Sequence, residues 1–132
     1  MTRAFPDSLS LQTEPISAVA LALFAAAAGD HNPLHLDESV ASAAGFEQPL
    51  IHGMLTMALV GKYVSDLASG SEKVLEFGGR FTKPVIVPAG VDVDVTVSAT
   101  VTDVADGKAT LSLSATSAGV KVLGMAKAVV SL

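Results

Sequence analysis

The apolar positions change their period twice along this chain. Ser8–Thr13 reads S-L-S-L-Q-T, the alternation of a short strand with one buried face, and Pro15 is expected to end it. Ser17 stands where an N-cap belongs, ahead of a helix from about Ala18 to Ala28 that is rich in Ala and Leu and stopped by Gly29. That helix is apolar nearly all round, which predicts burial. Asp30–Leu36, D-H-N-P-L-H-L, is a loop, because Asn32 precedes Pro33 and is pushed away from helical geometry. A short helix over Asp37–Ala44 closes at Gly45, and Phe46–Leu50 is irregular. The longest helix follows over His52–Ser69. It is apolar on all sides at first and wetted at its far end by Lys62, Ser65, Asp66 and Ser69, so its N-terminus is expected to be buried.

After Gly70 the period shortens to two. Val74–Phe81 is a strand, and Val91–Val104, VDVDVTVSATVTDV, alternates strictly. Asp106-Gly107 is a hairpin turn signal, Ala109–Ser117 alternates again, and Ala118-Gly119 is a second turn leading into Val120–Leu132. Helices segregated from an antiparallel meander predict an α+β fold in which about five strands wrap one apolar helix. With 132 residues and no linker, repeat or low-complexity tract, the sequence reads as a single domain over 1–132.

Composition narrows the function. Eight basic residues against thirteen acidic give a net charge of −5, and Arg80 with Lys83 is the longest basic feature, which argues against nucleic acid as a partner. The absence of Cys removes disulfides, thiolate metal sites and thiol nucleophiles. The N-terminal segment has no apolar core of a signal peptide. The longest membrane-like run, Ile16–Gly29, is about 14 residues against the roughly 20 that a spanning helix needs. A cytoplasmic protein is expected, with no membrane partner. Half the residues are hydrophobic and only 16% charged, which predicts apolar surface buried between subunits.

The three histidines, His31, His35 and His52, fall within one short stretch of an otherwise unreactive chain. His31 and His35 have the four-residue spacing of zinc ligands on a helix, but Pro33 lies between them and the His-Glu-x-x-His pattern is missing. Asp30 and His35 share one short loop, where a carboxylate and an imidazole can be aimed at a single point for acid–base work. Gly53 opens the long helix, where free N–H groups and the positive dipole end can stabilise a carbonyl gaining charge. Each feature also has a plain structural role. Asp30 can cap a turn, His35 can be a packed core residue, and Gly53 can let two elements approach.

Taken together, G-D-H-N-P-L-H-L-D at Gly29–Asp37, P-L-I-H-G-M-L at Pro49–Leu55 and R-F-T-K-P-V at Arg80–Val85 resemble the MaoC-like hydratase family, over roughly residues 8–132. That family includes (R)-specific enoyl-CoA hydratases and (3R)-hydroxyacyl-thioester dehydratases. The resemblance implies a hot-dog fold, Asp30 and His35 as the catalytic pair, and Gly53 as the oxyanion N–H. It adds Asn32 and His52 as further binding-site positions, with Asn32 shaping the loop and holding His35. A serine that helps order the site in some family members has no counterpart, since Gly61 takes its place; Thr56 is nearby. The implied substrate is an acyl-CoA or acyl-carrier-protein thioester, with no metal or redox cofactor. The implied assembly is a dimer joined sheet edge to sheet edge, either of identical chains or with a second hot-dog subunit. His52–Met57 and the stretch Gly119–Gly124 also resemble mycobacterial dehydratase subunits that work as heterodimers. A thioesterase and a non-catalytic acyl-thioester-binding subunit are the other readings of such a fold.

Overall fold

The computed structural model describes residues 11–132. Among the described residues three α-helices and six strands are segregated along the chain, helices first and most strands after them, as the change of period predicts. The chain runs β1 (Gln12–Ile16), α1 (Ala18–Ala28), α2 (Glu38–Ala43), α3 (Gly53–Ala68), β2 (Val74–Phe81), β3 (Val93–Ala105), β4 (Lys108–Ser117), β5 (Val120–Lys121) and β6 (Leu123–Ser131). The strands form one antiparallel sheet in the order β1-β3-β4-β6-β2, with β5 paired to β4. The sheet curves around α3, whose Thr56, Val60, Tyr63, Val64 and Ala68 are buried against it. This is an α+β hot-dog fold.

The period-two strands dictate which residues form the core. Val95, Val97 and Ala99 on β3, Ala109, Leu111, Leu113 and Ala115 on β4, and Ala126, Ala128 and Val130 on β6 all face α3 and are buried. Each fully buried Val or Leu contributes about 1.5–3 kcal/mol of transfer free energy. Asp106 (φ 54°) and Gly107 (φ 71°) both take positive φ, as do Ala118 (φ 51°) and Gly119 (φ 76°). Both pairs therefore make the tight turns whose twist matches the flanking strands.

Four expectations need correction. Pro15 does not end the first strand. It lies within β1 opposite Asp94, on an edge where one side of the strand has no ladder for the missing N–H to break. The Ser8–Ser10 part of the expected strand lies outside the described residues. Helix α1 is not buried all round. Leu21 and Ala25 face the core, while Val19 and Leu23 are exposed, because α1 packs only one face on the rest of the chain. The strands are not a simple meander. After β2 the chain crosses to the far side of the sheet through Pro84, Pro88 and Gly90, so β2 pairs with β6 and becomes an edge exposed along most of its length. Val120–Leu132 is interrupted at Val122, whose N–H turns back to the Ala115 carbonyl at 3.0 Å.

The crossing segment positions the site. Ile51 N–H donates to the Val85 carbonyl and Val87 N–H to the Pro49 carbonyl, each at 2.8 Å, with an antiparallel bridge between Leu50 and Ile86. These bonds pin the chain just ahead of α3, so the N-terminus of α3 sits at a fixed depth. Among the described residues no helix is long and apolar enough to cross a membrane.

Candidate active site

Gly29 ends α1 in the left-handed conformation at φ 73°, which glycine adopts without a Cβ penalty, and this turns the chain out to Asp30. The loop that follows is tied by its own side chains. Asp30 Oδ1 accepts from the Asn32 N–H at 3.2 Å, and Asn32 Oδ1 accepts from the Leu34 N–H at 3.1 Å. Pro33–His35 makes one 3-10 turn, after which the Leu36 and Asp37 N–H groups return to the Pro33 carbonyl at 3.0 and 2.8 Å. Asp37 then caps α2. The Ser39 hydroxyl foremost, then the Ser39 and Val40 N–H groups, hold its carboxyl below the usual carboxylate range. With both ends of the loop fixed, His35 is presented from its centre.

The His35 ring is oriented by a main-chain carbonyl. Its Nδ1 lies 2.8 Å from the Leu50 carbonyl oxygen. A carbonyl only accepts, so Nδ1 carries the hydrogen and the neutral ring leaves Nε2 with a free lone pair. Leu50, not Asn32, orients this imidazole. Asn32 contributes its backbone carbonyl to the His35 N–H at 3.1 Å and spends its side chain on the turn.

His52 lies beneath the pair. It is 1% exposed, and its Nε2 donates to the Asp30 main-chain carbonyl at 3.2 Å. One ring face stacks on His35 with centroids 4.0 Å apart and planes at 23°, and Phe24 meets it edge-on at 4.9 Å. Its Nδ1 is buried with no hydrogen-bond partner. Burial pushes the His52 pKa below the usual 6.5, against the hydrogen bond to Asp30, which raises it. The ring is therefore neutral at pH 7. His52, expected as a binding-site position, is buried, with its ring bonded to the Asp30 carbonyl and stacked on His35. Asn32 likewise stands in the loop wall and is absent from the cavity lining.

A cavity of about 320 Å³ opens beside His35, lined also by Leu50, Gly53, Thr56, Phe81 and Lys83. Gly53 is the first residue of α3, so its N–H has no intrahelical partner and sits at the positive end of the dipole. A Cβ built on Gly53 would lie 2.9 Å from Cζ of Phe81, so a larger residue there would have to push that half-exposed ring aside. Thr56 is buried one turn on and borders the same cavity. Gly61 packs instead against Phe77, away from it. Sequence reasoning missed Phe81 as a wall and the Leu50 carbonyl as the imidazole's partner. The Arg80–Val85 stretch carried a signal for Phe81, but a backbone carbonyl leaves none.

One ligating atom each from Asp30, His35 and His52 lie within 4.8 Å of one another, the spacing of a metal cluster. The ring geometry opposes that use. Imidazole binds a metal along a lone pair in its own plane, and two rings stacked at 4.0 Å keep their lone pairs in two nearly parallel planes. They do not converge on one ion at the roughly 2.0–2.1 Å a zinc–nitrogen bond needs. His31 is exposed and outside this group, so the His31–His35 pairing considered from spacing is not assembled. The arrangement instead offers a carboxylate and an imidazole close together, with the imidazole and the first residue of α3 bordering one cavity.

The family model described as "MaoC like domain" matches residues 6–119. The chain is 37% identical over 83 residues to an (R)-specific enoyl-CoA hydratase of Aeromonas caviae, a match covering 62% of each protein. It is 44% identical over 55 residues to the enoyl-CoA hydratase ChsH3 of Mycobacterium tuberculosis, covering 40% of this chain and 19% of that one. The chain thus spans less than two-thirds of the length of these curated relatives. Among solved structures, a MaoC-like dehydratase superposes with a TM-score of 0.93 at 28% identity, covering 98% of this chain and 41% of the other. The A. caviae (R)-hydratase superposes at 0.85 with 29% identity, covering 98% of both chains.

Proposed function

Because the chain belongs to the MaoC-like family, we propose that it is a hydro-lyase that adds water across the double bond of a trans-2-enoyl-CoA to give a (3R)-hydroxyacyl-CoA, and catalyses the reverse. The observation that supports this reading is the placement of a carboxylate oxygen of Asp30 and a ring nitrogen of His35 within 4.8 Å of each other, with His35 and Gly53 bordering one cavity.

The thioester carbonyl oxygen takes the Gly53 N–H, which brings C2 and C3 over the loop. One water sits between the Asp30 carboxylate and His35 Nε2, donating to both. Its oxygen bonds to C3 while Asp30 takes the departing proton, and the π pair moves onto the C1 oxygen as an enolate. The Gly53 N–H stabilises that oxygen, a contact worth about 3 kcal/mol in comparable sites. The enolate then collapses and C2 takes a proton back from the Asp30–His35 pair, so H and OH are added with no redox change. Water's oxygen supplies the electron pair of the C3–O bond and the former π pair becomes the C2–H bond, so the step calls for neither metal nor redox cofactor.

The working unit in this reading is one domain over 1–132 in the cytoplasm, assembled as a dimer. Strand β2 supports the assembly, since it is an edge that exposes Leu75 and Phe77 and unpaired edges invite pairing. The partner is a second copy; a second hot-dog subunit is the alternative. A second direction of reaction is favoured by one observation. The chain is 36% identical over 66 residues to 3-hydroxyacyl-thioester dehydratase X of M. tuberculosis, covering 50% of this chain and 22% of that one. Dehydration of a carrier-protein thioester would use the same residues in reverse.

The test is loss of enoyl-thioester absorbance with crotonyl-CoA, with product chirality read by a (3R)-specific dehydrogenase. Asp30→Asn keeps size and removes the base, and is expected to cost about 10²–10⁴-fold in turnover. Wild-type rates in that variant, or a (3S) product, would overturn the assignment. Faster turnover on carrier-protein thioesters would select the second reading.

A further inference from the structure

The first turn of α3 brings two polar groups to the cavity. Leu55 and Thr56 spend their N–H groups on the His52 carbonyl, at 2.9 and 3.2 Å. Met54 is 64% exposed and does not line the cavity, so the backbone donor there is that of Gly53. Thr56 lines the same cavity three residues on and is 2% exposed. Residues three apart share a helix face, and a helical side chain leans over the turn N-terminal to its own Cα. The Thr56 side chain is thereby carried back towards Gly53. Its hydroxyl is uncommitted. Among the described residues the Thr56 side chain makes no hydrogen bond. Buried polar side-chain atoms sealed from solvent with no partner are confined there to His52 Nδ1. A hydroxyl of so buried a residue, neither bonded nor sealed, opens on the cavity its residue lines. The other hydroxyl on that wall, of Thr82, already donates to the Lys121 carbonyl at 3.3 Å. Buried polar groups are normally hydrogen-bonded, and a ligand oxygen would supply what Thr56 lacks.

Resting on the hydratase reading above, we propose that Thr56 is a further catalytic residue, whose hydroxyl is the second hydrogen-bond donor to the thioester carbonyl oxygen beside the Gly53 N–H. The hydroxyl carries one hydrogen to donate, and no described residue takes it. The neutral carbonyl oxygen is a modest acceptor. As water adds at C3 that oxygen becomes an enolate, and a hydrogen bond to an ionised acceptor is roughly twice as strong as one to a neutral acceptor. The contact is therefore tightest in the transition state, where it raises kcat more than it lowers KM.

The experiment compares the wild type with Thr56→Val, which keeps the branched shape and removes the hydroxyl, and Thr56→Ser, which keeps the hydroxyl. On crotonyl-CoA, Thr56→Val is expected to lower kcat by about 10²-fold with little change in KM, as loss of one oxyanion donor does, and Thr56→Ser to stay within about tenfold of the wild type. Urea unfolding should find the valine variant no less stable, because the hydroxyl it loses is bonded to nothing in the protein. A second readout needs no turnover. Butyryl-CoA has no double bond to hydrate, and the infrared C=O band of its carbon-13-labelled thioester falls in frequency as the oxygen accepts hydrogen bonds. In the bound state that band should lie higher in Thr56→Val than in the wild type and return in Thr56→Ser. An unmoved band, wild-type kcat in Thr56→Val, or equal loss of kcat in both variants would each overturn the proposal, and continued hydration by the wild type would leave the hydratase reading standing. A band that depends on Thr56 in a protein that hydrates no thioester would fault the reaction and keep the donor.

Discussion

Replacing His52 by Phe separates the structural and chemical parts of the site. The ring is 1% exposed, stacks on His35 and meets Phe24 edge-on, so a phenyl ring of similar size keeps the packing. What is lost is the Nε2 hydrogen bond to the Asp30 carbonyl, worth about 1 kcal/mol net, and Asp30 is exposed, so water can take the place of that donor. What is gained is removal of a buried Nδ1 with no partner, which costs roughly 1–3 kcal/mol to keep. The two nearly cancel, so His52→Phe is expected to change unfolding free energy by no more than about 1–2 kcal/mol, against about 3–5 for His52→Ala, which leaves a cavity. Turnover should behave differently. Without the tether Asp30 is no longer fixed relative to His35, and misplacement by about 1 Å costs up to about 10²-fold. Urea unfolding and crotonyl-CoA hydration on the same samples test this. A His52→Phe protein as unstable as His52→Ala would refute the cancellation, and one with full turnover would show that the loop holds Asp30 without His52.

The lowered pKa of His52 gives a pH signature: unfolding releases a ring that binds protons more readily, so stability is intact above about pH 6.5 and falls as the pH drops through the lowered folded-state value. That component should vanish in His52→Phe, as seen by melting temperature across pH 4–8. Asp30→Asn combined with His35→Ala should cost little more turnover than either change alone, because both groups serve one water; multiplicative losses would show independent roles. Chelators should leave activity unchanged, and loss in EDTA restored by zinc would reverse the argument from the stacked rings. Dilution should lower specific activity together with dimer content in sedimentation, and a fully active monomer would sink the edge-paired assembly.

The helix ends and the hairpin turns were legible because local chemistry decides them. Ser17 caps α1 with its Oγ 3.2 Å from the Ala20 N–H, Gly29 stops it, and the two positive-φ turn pairs close hairpins at the places their residue types indicate. What the pattern could not give was partnership between distant strands. Nothing in V-L-E-F-G-G-R-F says that β2 will pair with β6 and not β3; that follows from the crossing segment, whose bonds to Pro49 and Ile51 depend on the three-dimensional closure. The exposure of Val19 and Leu23 has the same origin. An all-apolar helix predicts that something covers every face, and one chain supplies cover for one face only.

The candidate site was legible by a different route. Asp30 and His35 stand out because they are reactive groups in a reactive-poor chain, and Gly53 because it opens a helix. Their relative placement is another matter, since it runs through atoms that carry no sequence signal. The Leu50 carbonyl fixes the His35 tautomer, and the Asp30 carbonyl is what His52 holds. Any residue type at position 50 offers the same oxygen. What sequence does specify is the conformation that delivers it: the bonds from Ile51 and Val87 that pin Pro49–Ile51 against the crossing segment. The segment Arg80–Val85 therefore does two things at once. Its end anchors the carbonyl that orients the imidazole, and its Phe81 walls the cavity which that imidazole faces. A substitution that moves this segment is expected to move the cavity wall and the His35 ring together.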